Sequence, residues 1–328
     1  MNDKLALFWE KHENGVRCLL CPNYCVITTK NSGICRKRVN IADVLYTLNY
    51  AETIAFNLDP LEKKPLYHFY PEEKVLSLGA NSCNLSCHFC QNHSESQMDS
   101  KKERILPKEL LNICLSKNIN HVSFTYTEPF TWYEYVLESA ELLTKNNISV
   151  ILVTNGYVNL EPLKVIVPYI SAMNIDLKAF SDSFYQNICG GKLKPVLDAI
   201  EYVFEKVHLE ITLLLIESLN DDVDELRQYF AFLKGLNPNL PLHISRYFPR
   251  YKMKISETSE QLLQKVAKKA QEHLNYVYIG NVGATEYQNT YCPKCKTLLI
   301  NRQHFNTKIV GLNDRRCVNC GKSIPITQ

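Results

Sequence analysis

The sequence predicts an α/β fold: a parallel sheet with helices outside, closed or partly closed like a barrel, between an N-terminal Cys-rich metal-binding region and a C-terminal zinc ribbon. Three observations predict it. Between residues 75 and 280, short runs rich in β-branched residues alternate with stretches of helical periodicity. Thirteen cysteines fall into sets at 18–35, 83–90 and 292–320, with only Cys114 and Cys189 isolated, both read as buried small hydrophobes. At 328 residues, 45% hydrophobic and 22% charged, the chain can bury a sizeable core, which excludes disorder as the default.

The elements follow in order, with residues 1–70 read as the Cys-rich region, 71–285 as the barrel and 286–328 as the ribbon. Leu5, Phe8, Trp9 and His12 recur at helical spacing and predict a short amphipathic helix rather than a signal peptide. VLSL (75–78) is the first barrel strand and ends at Gly79, just before three cysteines. PKELLNICLSKN (107–118) opens with proline, as helices do. HVSFTY (121–126) is a strand, after which Trp132, Tyr135, Val136, Ser139, Leu142 and Leu143 mark one helical face. SVILV (149–153) breaks at Asn155-Gly156 and leads into the helical stretch EPLKVIVPY. AMNID (172–176) precedes a helix that buries Val196, Leu197, Ile200, Val203, Phe204 and Val207. LEITLLLI (209–216) precedes another carrying Val223, Leu226, Tyr229, Phe230 and Leu233. LHISRY (242–247) leads to a long helix that Thr258-x-x-Gln261 would open as a capping box, and YVYIG (276–280) closes the series.

Composition narrows the function classes. A net charge of +3 offers little to a nucleic-acid or membrane partner, and the longest apolar run, ITLLLI (211–216), is far short of a membrane span. Thirteen cysteines without a signal peptide point to a reducing cytoplasm and to metal chemistry rather than disulfides.

Chemistry in barrel folds gathers at the C-terminal ends of the strands. The cysteine loop, Thr127-Glu128-Pro129, Thr154-Asn155-Gly156 and Asp176-Leu177-Lys178 all fall there, whereas His243 comes early in its strand. In NSCNLSCHFCQN, Cys83, Cys87 and Cys90 are spaced C-x3-C-x2-C, one thiolate short of a closed zinc site or a fully ligated cubane cluster. Three thiolates on a [4Fe–4S] cluster leave one iron open to a small molecule. A zinc site completed by His88 or His93 is the alternative. Cys292-x2-Cys295 and Cys317-x2-Cys320, separated by 21 residues, form the two knuckles of a zinc ribbon. Cys18-x2-Cys21-x3-Cys25-x9-Cys35 suits zinc or an auxiliary iron–sulfur cluster equally well. A non-catalytic zinc protein binding nucleic acid is a further reading, and would rest on Arg36-Lys37-Arg38 and Arg315-Arg316.

The pattern C-x3-C-x-aromatic-C directly after the first strand resembles the signature of the radical S-adenosylmethionine (SAM) enzymes, which share a (β/α)6 partial barrel. The resemblance implies a [4Fe–4S] cluster on Cys83, Cys87 and Cys90 with SAM chelating the open iron. It also implies reductive cleavage of SAM to methionine and a 5′-deoxyadenosyl radical that abstracts hydrogen from a substrate. Tyr126-Thr127-Glu128-Pro129 stands where the family has Gly-Gly-Glu-Pro, with both glycines replaced. Thr154-Asn155-Gly156 and Asp176-Leu177-Lys178 resemble stretches of glycyl-radical-enzyme activases, with Val153 in place of an aspartate, and His243 resembles a histidine near SAM. SAM contacts are thus implied for Thr127, Glu128, Asn155, Asp176, Lys178 and His243.

CLLCPNYC (18–25), DPLEKKPLYHFYP (59–71), HISRYFPRYKM (243–253) and YCPKC…CVNCGK are similar to one subgroup, the radical SAM enzyme of the AmmeMemoRadiSam system, which is pyruvate formate-lyase-activating-enzyme-like. That implies companions of the AMMECR and MEMO types and an electron donor such as flavodoxin or ferredoxin. A glycyl-radical-enzyme activase is the catalytic alternative. Against it, the extra cysteines flank the barrel rather than following the SAM loop.

Overall fold

The computed structural model describes residues 4–328. An eight-stranded sheet forms its centre: β1 (Ala55–Pro60), β2 (Lys74–Gly79), β3 (His121–Phe124), β4 (Ser149–Thr154), β5 (Ala172–Asp176), β6 (His208–Leu215), β7 (Leu242–Arg246) and β8 (Val277–Gly280). The strands lie in sequence order across the sheet, and β2 to β8 are all parallel. Each parallel connection crosses over through a helix: α1 (Pro107–Ser116), α2 (Tyr133–Thr144), α3 (Leu160–Ile166), α4 (Leu193–Val203), α5 (Val223–Leu236) and α6 (Glu260–Gln271). β1 and β8 do not pair, so the barrel is partial. The six strand–helix units and closing strand expected from the sequence are all present.

Alternation along the strands decides what each face does. Leu76, Val122 and Val150 stand side by side in register, as do Ile175, Ile211, Leu242 and Val277, and this parity packs into the main core with the helices. The opposite parity carries Asn174 and Asp176 on β5, Glu210 and Thr212 on β6, and His243 and Ser245 on β7, facing the barrel interior. Polar side chains therefore line the inside in layers.

Four differences from the sequence reading have physical causes. Ala55–Pro60, which reads as linker because of Asn57, Asp59 and Pro60, pairs antiparallel with β2 from Ala55↔Gly79 to Pro60↔Lys74. It is an edge strand, where proline and charge are tolerated. The expected N-terminal helix is absent: Lys4–Leu5 pairs with Tyr46–Thr47, and Trp9–His12 forms a hairpin with Gly15–Cys18. Phe8 turns between them at φ 55° and packs its ring edge-on against Tyr133. Strand pairing around the cysteines there overrides a four-residue helical spacing. Third, Thr258 does not open α6. Its buried hydroxyl donates to the Leu215 carbonyl (2.5 Å), and Ser259 caps the helix by accepting from Leu262 N–H (3.3 Å). Fourth, Cys189 is not isolated, as described below.

The segment after β1 closes the lower end of the barrel. Leu66 and Phe69 pack with Val75, Ile151 and Ala172, and Asn174 donates to the Pro65 carbonyl (2.8 Å). The ribbon, with antiparallel strands Thr290–Tyr291, Leu298–Gln303 and Asn306–Ile309, docks beside this segment. Buried Arg302 donates to the Tyr67 carbonyl (2.6 Å) and lies 4.2 Å over the Tyr67 ring.

Candidate active site and metal centres

A cavity of about 450 Å³ opens at the C-terminal ends of the strands, and Cys83, Cys87 and Cys90 share its wall. The loop that carries them is held from several sides. Asn81 donates to the carbonyls of Glu95 (2.6 Å) and Met98 (2.8 Å), and Asn84 donates to that of Tyr157 (2.7 Å). Ser86 and His88 N–H groups pair with the carbonyls of Cys189 (2.9 Å) and Ile188 (3.0 Å). Two of these partners lie about a hundred residues away in sequence and a third 73, so the loop's shape is set by tertiary contacts. Leu85 N–H (3.4 Å) and the Asn155 amide (3.6 Å) approach Cys83 Sγ, and Ser96 Oγ lies 3.3 Å from Cys90 Sγ.

Cys189 is fully buried beside Cys87 and is absent from the cavity lining. Its thiol, followed by burial, pushes the Cys87 pKa well up. Burial and then the Glu128 carboxylate do the same to Cys83. Thiols so placed release their protons readily only to a bound cation.

Of the other expected contacts, Thr127, Asn155, Asp176 and Lys178 line the same cavity. Lys178 Nζ pairs with Asp176 (2.9 Å); burial opposes its charge, but Asp176 and the neighbouring thiols outweigh that and hold its pKa well up. The backbone at Tyr126, which stands in the place of the family's first glycine, is left-handed at φ 69°, a conformation that favours glycine. Its hydroxyl donates to Asp59 (2.9 Å), its carbonyl accepts from Asn92, and Lys64 Nζ sits 4.6 Å over the ring. A side chain is tolerated there because it is tied on every side.

Two expected contacts are not in the cavity. Glu128 is fully buried, and its carboxylate accepts from Phe130 N–H (3.0 Å), Thr154 Oγ1 (2.7 Å) and Asn155 N–H (2.8 Å). It braces the strand ends that present Thr127 and Asn155. Burial raises its pKa to about 7 despite those bonds. His243 faces the barrel interior but lies one layer too deep, where its Nε2 bonds Glu210 (2.6 Å). Ser245, two residues on and hence on the same face, is the β7 residue that reaches the cavity. Sequence reasoning also missed Asp59, Lys63 and Lys64, which line the same cavity. The charged run from Asp59 to Lys64 in DPLEKK was the available signal.

In the ribbon, the four Sγ atoms of Cys292, Cys295, Cys317 and Cys320 all lie within 4.8 Å of one another, with pairs at 3.6 Å and 3.5 Å. Two matching turns present them: Lys296 N–H returns to the Cys292 carbonyl and Gly321 N–H to that of Cys317, each with positive φ at the fourth residue after the cysteine. A tetrahedral ion with bonds of about 2.3 Å to sulfur requires sulfur separations of about 3.8 Å. The set fits a single metal ion.

Comparison with known proteins agrees with this geometry. The family model described as the Radical SAM superfamily matches residues 78–230. An uncharacterised protein of Methanocaldococcus jannaschii is 39% identical over 98% of this chain and 98% of its own length. A protein of the same organism named as a glycyl-radical enzyme activating enzyme is 28% identical over 55% of this chain and 69% of its own. A radical SAM methyltransferase structure from Sphaerobacter thermophilus, 15% identical, superimposes with a TM-score of 0.51 over 64% of this chain and 67% of that one, which shows a shared fold. Residues 78–230, the greater part of the barrel, carry the domain of the radical SAM superfamily. Membership implies an enzyme using a [4Fe–4S] cluster and SAM. The residues fit that pair: three thiols, Cys87 buried and Cys83 and Cys90 half-buried, line one cavity, and an ion pair and amide stand where a zwitterionic ligand could bind. Among the described residues, no helix is long and apolar enough to cross a membrane.

Proposed function

We propose that this protein cleaves SAM reductively and uses the resulting 5′-deoxyadenosyl radical to abstract hydrogen from a substrate, in a system with AMMECR-type and MEMO-type companions. One observation carries the catalytic part: Cys83, Cys87 and Cys90 open on a cavity that also presents Thr127, Asn155, Asp176 and Lys178. When bound, the cluster and SAM supply the radical chemistry; the protein binds, orients and excludes water. Lys178 meets the SAM carboxylate and Asp176 or Thr127 its ammonium group, as charge pairing favours. Lys63, Lys64, Ser245 and Asn281, which line the same cavity, receive the substrate.

The companions rest on the sequence similarity of the stretches 18–25, 59–71 and 243–253 to that subgroup. Flavodoxin or ferredoxin suits the role of electron donor. Zinc suits the ribbon's sulfur spacing. Thirteen free thiols suit the cytoplasm.

Anaerobic reconstitution tests the reading. Wild type is expected to form 5′-deoxyadenosine from SAM and a strong reductant. The variant with Cys83, Cys87 and Cys90 all changed to Ala is expected to form none while keeping its zinc. Zinc lost in parallel would mean that the sites are misassigned. The relative named as an activating enzyme favours a second reading, activation of a glycyl-radical enzyme. A glycyl-radical signal raised on such a partner would support it; the cavity is equally able to serve both.

A further inference from the structure

We propose that Cys18, Cys21, Cys25 and Cys35 hold a second iron–sulfur cluster, a four-thiolate [4Fe–4S] centre that passes an electron to the cluster at Cys83, Cys87 and Cys90. The destination of that electron rests on the radical SAM reading; the identity of the centre does not.

The chain supplies its own calibration. All four N-terminal cysteines line one small enclosed space with Leu20, Ile27 and Arg38. Yet among the described residues the ribbon's set is the one group of cysteine, histidine or carboxylate ligands gathered within 4.8 Å, so no three of the N-terminal thiols stand that close together. The same holds for Cys83, Cys87 and Cys90. A single tetrahedral ion draws its sulfurs to about 3.8 Å. In a cubane each thiolate binds a different iron, so the sulfurs stand farther apart around a larger body. Four thiols that face one space without gathering to the separations a single ion imposes suit the cluster rather than the ion.

The surroundings suit a redox centre. Ile34 N–H points to Cys25 Sγ (3.5 Å), and the Arg38 guanidinium, 1% exposed, reaches Cys18 Sγ (3.8 Å). Donors to cluster sulfur and a buried cation raise a cluster's potential, which eases uptake of an electron. The two sites are also joined on both sides of Cys83. Ser82 Oγ donates to the Cys35 carbonyl (2.8 Å). On the other side, the Asn84 carbonyl accepts from Asn23 (2.8 Å), and Asn84 Oδ1 accepts from the Asn155 amide (3.0 Å) that also faces Cys83 Sγ. Asn84 itself lines the N-terminal site.

The electron count is simple. A reduced one-electron carrier of the flavodoxin or ferredoxin class loses one electron, and the N-terminal cluster goes from the 2+ to the 1+ state. It returns to 2+ as the Cys83, Cys87 and Cys90 cluster goes from 2+ to 1+. No bond to sulfur forms or breaks.

The test is metal analysis and electron paramagnetic resonance on anaerobically purified full-length chain. Wild type is expected to carry about eight iron and one zinc per chain. Cys18→Ala with Cys21→Ala should leave about four iron with zinc unchanged, and so should the triple change at Cys83, Cys87 and Cys90. Reduced wild type should show two interacting paramagnetic clusters, only one of which responds to SAM. About four iron and two zinc in wild type would overturn the proposal, as would loss of zinc from the Cys18 and Cys21 variant. Wild-type iron and resonance decide the matter even if that variant does not fold. Failure of the radical SAM reading looks different: the iron count stands, and no signal responds to SAM.

Discussion

Individual residues divide by whether they touch the cavity or brace what does. Glu128 braces. Glu128→Ala strands Phe130 N–H, Asn155 N–H and the Thr154 hydroxyl in a dry interior, and is expected to cost about 2–4 kcal/mol, read as a lower denaturant midpoint. Glu128→Gln is no clean rescue, because its NH2 would face a donor on one side. Lys178 touches. Lys178→Gln removes the ammonium paired with Asp176 and is expected to weaken SAM binding to the reconstituted protein about tenfold, with the midpoint little changed. Unchanged SAM affinity would remove Lys178 from the site. The SAM-loop cysteines and Lys178 were legible in the sequence because their chemistry is local to short motifs. The partnership of Cys87 with Cys189 was not, since nothing local signals a contact spanning 87 to 189.

At the scale of elements, the seven parallel strands were legible because buried β runs sit between helices of clear periodicity. What failed was short and irregular: an edge strand disguised by Asn57, Asp59 and Pro60, and an N-terminal hairpin whose apolar spacing imitates a helix. Depth within the barrel was only partly legible, from the early place of His243 in its strand. His243 and Ser245 share a face, and only the register across β5 to β8 shows which reaches the mouth. The cysteine loop depends on the turn after Tyr185–Cys189, where Gly190 has φ 75° and an added Cβ would lie 2.6 Å from Ser86 Oγ. Gly190→Ala therefore combines backbone strain with a clash against the loop. It is expected to cost about 1–3 kcal/mol and to lower iron at the three-cysteine site, with ribbon zinc unaffected. Full iron occupancy would show that the loop holds its shape without this turn.

Across the whole molecule, the ribbon and the lower end of the barrel are joined by one chain of buried hydrogen bonds. Arg302 donates to Thr290 Oγ1 (2.8 Å), which lies 2.9 Å from the Tyr278 hydroxyl; that in turn lies 2.6 Å from His68 Nε2. His68 Nδ1 lies 3.1 Å from the Pro325 carbonyl, which can only accept, so Nδ1 carries the proton and Nε2 accepts from Tyr278. Directly beneath, Glu210 accepts from Tyr67 N–H (3.0 Å), His68 N–H (2.7 Å), His208 (2.9 Å) and His243 (2.6 Å). Burial works against its charge, but the two histidines outweigh it and hold its pKa well below the carboxylate range. His68 is the weak link in acid. Burial pushes its pKa from 6.5 down to about 3, so within that window the unfolded chain takes up a proton that the folded one refuses. The His68 contribution to stability accordingly falls as the pH drops below 6.5, by up to about 1.4 kcal/mol per pH unit, while Glu128, raised to about 7, contributes the opposite sign between 7 and 4.5. His121, lowered to about 4 by burial, adds a slope of the same sign as His68, so the contribution of His68 must be read as a difference. Urea midpoints of wild type and His68→Gln, compared between pH 7 and pH 5, should show the variant less stable at pH 7 but losing less on acidification. Amide exchange in residues 290–327 should quicken first in acidified wild type, because the ribbon is what His68 holds. Equal acid slopes in the two proteins would place the acid-labile step elsewhere.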